Sequence, residues 1–360
     1  MPITQFNSAY VVSFFLAFFL SFILTFIVAR IAMKKNIVDY PDTERHFHRN
    51  PTPTLGGMAI YISFLITTIA VGVFGKYLLN GNIPFMILAS ILGGGLILMI
   101  GGFLDDKYHL PPRYSIMFPI LAALTLVSSG IKAVSIHNPL TGDIILLDQY
   151  LLFGVPIISA GIVFLWVMMM TYTTKLLDGM DGLVTGISAI GALVLFGLSL
   201  SPKVMQPQTA LLAIIFAGSL LGFLILNFYP AKIFLGESGS TFAGFMLAVL
   251  AIVSGGKIAT ALLVMGIPLI DAVWVIISRI VRKRSPFVGD RSHLHFRLTE
   301  IGLSQPQAVL LLYALSGMFG ICALFLQSRG KMIAFVVLIL VTAAVLSSVY
   351  LAYKRRRKTE

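Results

Sequence analysis

Apolar residues run along this chain in long unbroken stretches, and polar residues collect in the short gaps between them. Hydropathy, together with Gly, Pro and charged breakers, predicts spanning helices at 9–32, 54–75, 83–103, 114–131, 152–171, 183–200, 207–227, 239–256, 258–280, 306–327 and 331–352. The expected fold class is therefore all-α: a polytopic integral membrane helical bundle of eleven transmembrane helices, forming a single membrane-embedded domain over 1–360. The first run lacks a basic leader and exceeds the usual length of a signal-peptide core, so it reads as a span. Between the fourth and fifth spans, residues 132–149 alternate around the turn signals Asn138-Pro139 and Thr141-Gly142-Asp143, which predicts a small β-hairpin.

Composition supports this picture. Of the 360 residues 58% are apolar and 11% charged, which excludes a soluble domain. A lone cysteine, Cys322, rules out an intrachain disulfide and any multi-cysteine metal site. No repeat, low-complexity segment or soluble domain is apparent. The net charge of +12 would suit nucleic acid, but basic residues also gather on the cytoplasmic face of membrane proteins, and that explanation suffices. No nucleic-acid partner is expected.

Threading the eleven spans puts 20 of the 26 Lys and Arg on one side, which predicts an N-terminus outside and a C-terminus in the cytoplasm, with 353–360 as a basic cytoplasmic tail. Only Asp143 and Asp148 of the 14 acids fall on the opposite side. Acids and bases from several loops thus share one face, as an assembled site for a charged substrate would require.

The segment TYTTKLLDGMDGLVTG carries Asp178 and Asp181 three residues apart, on one face if the stretch is helical. Paired acids at the mouth of an apolar bundle call for a cation: a metal, a lysine or a metal-bound substrate. The bland alternative is a solvated loop with Asp181 capping the next helix. In GGFLDDKYHLPPR the adjacent Asp105 and Asp106 end a span, where one serves as base while the other holds a lysine or metal, or both form a helix-ending turn in water.

Arg45, His46, His48 and Arg49 precede PTPTLGG on the first inner loop and suit phosphate oxygens, though ordinary positive-inside decoration looks the same. In NFYPAKIFLGESGS the glycines allow close backbone approach to a ligand, Glu237 is a hard oxygen donor suited to Mg²⁺, and Phe234 is a base-stacking platform or an interfacial anchor. Asp271, inside a span, is a functional candidate or the partner of a basic residue in the bundle. His293 and His295, with Arg291 and Arg297, read as diphosphate binders, as a zinc pair lacking a third ligand, or as a loop on anionic lipid.

Taken together, PTPTLGG, FLDD, LLDGMDGL, NFYPAKIFLGESGS, PLIDAVWV and DRSHLHFRL, in this order from about Asp39 to Leu298, resemble the polyprenyl-phosphate N-acetylhexosamine-1-phosphate transferase superfamily, glycosyltransferase family 4. The resemblance leans toward the undecaprenyl-phosphate N-acetylglucosamine 1-phosphate branch. It implies transfer of a sugar 1-phosphate from a UDP-N-acetylhexosamine to a polyprenyl phosphate with release of UMP. Mg²⁺ would be the cofactor, with Mn²⁺ as substitute. Localisation would be the bacterial plasma membrane, with an active site on cytoplasmic loops 33–53, 104–113, 172–182, 228–238 and 281–305, and a homodimer is among the expected assemblies.

The catalytic acids implied are Asp105, Asp106, Asp178 and Asp181. Glu237 and Asp181 would hold metal; Asn227, Phe234, Lys175, Arg45, His48, His293, His295 and Arg297 would bind substrate. Three positions depart from the family pattern: Glu237 stands where aspartate is usual, Lys175 where asparagine is usual, and Phe296 where a third histidine is often found. An ammonium cannot ligate Mg²⁺, so Lys175 is expected to pair with Glu237 or with substrate phosphate. The rival readings are a muramoyl-pentapeptide donor, a non-catalytic relative and, from another class, a transporter. Acids clustered at one face, with no repeat, argue against the transporter.

Overall fold

The computed structural model describes residues 3–41, 51–75, 78, 83–132, 135–137, 143–152, 154–202, 204–255, 257–281, 283 and 293–359. Among these the chain is helical almost throughout. In order the elements are α1 (Ile3–Lys34), β1 (Val38–Asp39), β2 (Thr52–Pro53), α2 (Gly56–Gly75), α3 (Phe85–Tyr108), α4 (Pro112–Ser115), α5 (Met117–Ser128), β3 (Ser135–His137), β4 (Ile144–Leu146), β5 (Leu151–Leu152) and β6 (Val155–Pro156). There follow α6 (Ile157–Leu177), α7 (Leu183–Leu200), α8 (Pro207–Asn227), α9 (Gly236–Val253), α10 (Ile258–Val264), α11 (Gly266–Val281), α12 (Leu294–Glu300), α13 (Gln305–Phe325) and α14 (Ser328–Thr359). The expected hairpin is present: β3 and β4 pair antiparallel with Ser135 opposite Leu146.

Among the described residues nine helices are long and apolar enough to cross a membrane, and ten spans result if the pair α10 and α11 counts as one. Two expected spans take a different form. The run at 258–280 is bent by 78° between α10 and α11, where Pro268 has no N–H to donate to Val264 and Gly266 offers no side chain to stiffen the turn. The run at 114–131 is instead the shorter apolar stretch Pro112–Ser128, interrupted at Ile116. Pro119 removes the bond to Ser115 that would have continued the helix.

The helices sort by how much of themselves they bury. Of the most apolar window of α8 and of α9, 83% is buried, against 28% for α1 and 11% for α14. The two outer helices present Phe15, Phe19, Ile23, Val336 and Leu340 outward, a surface suited to hydrocarbon tails and costly in water. At the centre, α9 packs against α2, α3, α6, α7, α8 and α10. Its Phe242 and Phe245, together with Phe64 and Phe216, are fully buried, and Phe242 meets Phe64 and Phe216 edge to face at ring separations of 6.0 and 5.8 Å.

Glycine sets how closely the polar end of α9 is held. A Cβ on Gly57 would lie 2.2 Å from Gly239 N, and one on Gly102 would lie 2.2 Å from Ser238 Cα. The first turn of α9 is thus wedged between the start of α2 and the end of α3, backbone against backbone, as small residues permit. Gly239 therefore serves contact between helices, where the sequence pattern suggested approach to a ligand. Gly57 N also donates to Leu235 O at 2.8 Å and Gly56 N to Phe234 O at 3.0 Å.

Gly102→Ala is expected to lower the thermal stability of the detergent-solubilised protein through overpacking of about 1–3 kcal/mol. Gly93→Ala, nine residues earlier in the same helix with nothing within 4 Å of the new methyl, is expected to be neutral or to stabilise by up to ~1 kcal/mol. Equal melting temperatures for the two variants would contradict the wedge.

Candidate active site

The acids ending α3 divide their work. The helix stops because His109 takes a left-handed conformation (φ 50°), donating its N–H back to Asp105 O, and Pro111 and Pro112 follow. In that turn the Asp105 carboxylate accepts from Leu110 N at 2.8 Å and from Ser115 Oγ at 3.0 Å. Asp106 points elsewhere. Its Oδ1 accepts from Glu237 N at 3.1 Å, so it satisfies an otherwise orphaned donor in the first turn of α9 and sits in the favourable field of that helix end. Its Oδ2 is shielded from solvent and has no hydrogen-bond partner among the described residues.

Lys175 lies in the last turn of α6, and its ammonium donates to Glu237 Oε1 and to Ser115 Oγ, the latter at 3.3 Å. The Lys175 and Glu237 side chains are 27% and 18% exposed, so the pair lines an accessible site and not the core. Ser115, which no motif signalled, thereby links Lys175 to Asp105. Of the two partners expected for Lys175, Glu237 is the one it meets.

Asp178 and Asp181 do not share a helical face. The segment between them contains Gly179 and is followed by Gly182 at φ +75°, so α6 ends at Leu177, Asp178 becomes its C-cap, and α7 starts afresh at Leu183. Nor does Asp181 cap α7, whose N-cap is Gly182. Asp181 Oδ2 instead accepts from Ala231 N at 2.9 Å, tying this loop to the one after α8. Asp178 is solvent-exposed in this loop; the protein close to it, and then the charges of Glu237, Asp106 and Asp181, raise its carboxyl pKa, a shift that solvent screens. A second unsignalled residue, Tyr313 of α13, donates to Gly182 O and holds the loop from behind.

The histidine segment is organised by Asp271. This buried acid accepts from Leu294 N and pairs with His293 Nδ1, each at 2.9 Å. It therefore anchors the start of α12 from α11, and its partner is a histidine where a lysine or arginine was the expected alternative. His293 is the N-cap of α12, and its ring stacks parallel on that of His295 at 5.6 Å. His295 is buried, with neither ring nitrogen hydrogen-bonded among the described residues, and burial lowers its pKa to about 3. Its Nε2 would lie 2.5 Å from a Cβ on Gly179, which places α12 directly against the Asp178–Gly182 loop. Phe296 packs on His295 at 4.3 Å and on Gly179, so its role is ring packing. Arg297 lies in the same short helix.

Asn227, at the end of α8, is 3% exposed; it accepts from Thr185 Oγ1 at 2.7 Å and donates to Ile233 O at 3.0 Å. Its amide is committed to holding the 228–235 loop. Phe234 is half-buried in that loop, its N–H bound to Pro53 O at 2.8 Å. Arg45 and His48 lie outside the described residues.

The donor set bears on the Mg²⁺ implied by the motifs. Carboxylate oxygens are the right kind of ligand, and Asp106 Oδ2 is unpartnered. Yet Glu237 is engaged by the Lys175 ammonium, Asp105 by the α4 turn and Asp181 by Ala231. Among the described residues no three His, Cys, Asp or Glu side chains form a metal-ligand group. Asp106 Oδ2 and the exposed Asp178 remain, and two carboxylates without a substrate phosphate do not fit a Mg²⁺ ion held by the protein alone.

A multi-span helical bundle that brings acids of α3, of the segment after α6 and of α9 near one another offers a candidate site for a charged substrate, and comparison with known proteins gives the family. The profile of glycosyl transferase family 4 matches residues 88–255, the stretch holding Asp105, Asp106, Lys175, Asp178, Asp181 and Glu237. The chain is 32% identical over 339 residues to the probable undecaprenyl-phosphate N-acetylglucosaminyl 1-phosphate transferase of Bacillus subtilis (strain 168), covering 92% of this chain and 89% of that protein. It is 32% identical to the decaprenyl-phosphate N-acetylglucosaminephosphotransferase of Mycolicibacterium smegmatis over 87% of this chain and 82% of that one. A phospho-N-acetylmuramoyl-pentapeptide-transferase of Staphylococcus epidermidis is 27% identical over 72% of this chain and 80% of its own. The chain belongs to glycosyl transferase family 4, as its motifs indicated.

His295 should make the protein acid-sensitive. With the folded pKa near 3 and the ordinary histidine value at 6.5, the unfolded chain binds the extra proton between those limits, so stability falls as pH drops below 6.5, by up to about 1.4 kcal/mol per pH unit. Melting temperatures from pH 7 to 5 should therefore fall less in His295→Gln than in the wild type; parallel profiles would refute the assignment.

Proposed function

We propose that this protein transfers N-acetylglucosamine 1-phosphate, or a related N-acetylhexosamine 1-phosphate, from the UDP-sugar to undecaprenyl or another polyprenyl phosphate. UMP is released, and the product starts a lipid-linked cell-envelope glycan. One observation carries the reading: Asp105 and Asp106 of α3, Lys175 of α6, Asp178 and Asp181 of the segment that follows it, and Glu237 of α9 lie near one another at one end of an apolar bundle. Glycosyl transferase family 4 membership and the relatives' names support it. The excess of Lys and Arg on the same side supports an active site facing the cytoplasm, with the N-terminus outside, in the plasma membrane of a bacterium.

In the proposed reaction an oxygen of the lipid phosphate attacks the sugar-bearing phosphorus of the donor. A new P–O bond forms, the bond from that phosphorus to the bridging oxygen breaks, and the electron pair leaves with UMP. Such loose phosphoryl transfers need positioned charge more than covalent chemistry. Asp106, with its unengaged oxygen, takes the proton when the lipid phosphate arrives as a monoanion, and Asp105 holds the turn that aims it. Asp178 and Asp181 line the diphosphate site. Arg297 serves the sugar and diphosphate from the segment that the buried His293 and His295 hold in place, Phe234 stacks the uracil, and Asn227 holds the loop that presents it. A muramoyl-pentapeptide donor is the second reading, favoured by relatives such as the staphylococcal transferase.

The test is UMP release by purified protein in detergent with UDP-N-acetylglucosamine and polyprenyl phosphate. Lipid-dependent release is expected, falling at least a hundredfold in Asp106→Asn, the scale of losing a general base. Release only with the muramoyl-pentapeptide donor would move the assignment to the second reading. Silence with both would leave a non-catalytic member of the family.

A further inference from the structure

The acid cluster raises a charge problem that its own residues answer. Four carboxylates, Asp105, Asp106, Asp178 and Glu237, are close enough to act on one another at the edge of an apolar bundle. Such a group is tolerated when some of its members take up protons or when a cation is held among them. Lys175 is that cation. One N–H of its ammonium goes to Glu237 and another to Ser115 Oγ at 3.3 Å; Ser115 passes its own proton toward Asp105 Oδ2 at 3.0 Å. Glu237 in turn donates its backbone N–H to Asp106 Oδ1 at 3.1 Å. A single ammonium is thereby joined, directly or through one intermediary, to three of the four acids, and it precedes the fourth by three residues.

A divalent cation in the place of that ammonium would have Glu237 as an adjacent oxygen donor. Mg²⁺ at about 2.0–2.1 Å from a carboxylate would stand next to an ammonium bound to that same carboxylate, and the two cations repel. Lys175 is three donors on a flexible stem, and two of the three are used. The third makes no hydrogen bond among the described residues, although the ammonium lies 5.8 Å from the centroid of the Tyr172 ring, so it can serve an anionic ligand, and the pair's partial exposure opens it to the site.

We propose that Lys175 is the resident cation of this site: its ammonium stands where a protein-bound divalent ion would otherwise be needed, neutralises Glu237 and Asp105, and offers its remaining N–H to a phosphate oxygen of the donor's diphosphate. The proposal rests on the transferase reading only for the identity of that diphosphate. Its cation component stands on the side-chain chemistry alone.

Two measurements on the full chain in detergent test it, neither of them turnover. In the first, Mn²⁺ is titrated and free ion followed by electron paramagnetic resonance. Wild-type protein is expected to show no saturable site, whereas the double variant Lys175→Asn with Glu237→Asp, which removes the ammonium and frees a carboxylate, gains one ion per chain. In the second, UDP binding is measured by equilibrium dialysis in EDTA. The wild type is expected to bind, and Lys175→Gln to bind at least tenfold more weakly.

Saturable uptake of one Mn²⁺ per wild-type chain, lost in Asp178→Asn, would overturn the proposal whether or not the double variant folds. So would a folded double variant that gains no site, or UDP binding in EDTA unaffected by Lys175→Gln. Wild-type Mn²⁺ uptake together with sustained UMP release would sink this inference and leave the transferase standing. No metal site but no turnover with either donor would do the reverse.

Discussion

Charge at the end of an apolar bundle must be satisfied within the protein, and the first turn of α9 is where that is done here. Its N–H groups have no intrahelical partners, and Asp106, from another helix, supplies one at Glu237 N. The contact requires the end of α3 and the start of α2 to approach α9 closely, which Gly102 and Gly57 allow. Once that wedge is seated, Gly56 and Gly57 bind the carbonyls of Phe234 and Leu235, and the loop before α9 is placed. Ala231 in that loop then holds Asp181. The remaining site follows from this one docking.

The same logic recurs at α12. A helix of seven residues is too short to stand alone, and a buried carboxylate from α11 anchors it by binding Leu294 N and His293 at once. Asp271 lies in α11, after the 78° bend that separates that helix from α10. His295 and Phe296 then close over Gly179. An acid that hydropathy marks as anomalous is thus a positioning residue for the histidine segment.

These contacts divide the polar residues into two groups. Asp105, Asp271, Asn227 and Asp181 are engaged by backbone or side-chain partners and hold loops in place. Asp106 Oδ2, Asp178, and the Lys175–Glu237 pair retain unengaged atoms or solvent access. Phosphoryl transfer chemistry, which depends on fixed charge around a moving one, needs both kinds: rigid supports and a few groups left available.

The sequence by itself determined the helical membrane character and the hairpin after α5, because hydropathy and turn chemistry are local properties readable in windows of some twenty residues. The motifs also led to the family, and Lys175 and Glu237 already stood out together. Tertiary structure alone decided which partner each polar group takes. Glu237 meets Lys175 from 62 residues away and Asp106 from 131, separations over which no local pattern reports a distance. Helix continuity was misread for the related reason that a glycine or proline within an apolar run breaks or bends it according to what packs around it. Asp178 and Asp181 were therefore expected on one helical face, yet Gly179 and Gly182 release the chain into a loop whose shape is set by Ala231, Tyr313 and His295.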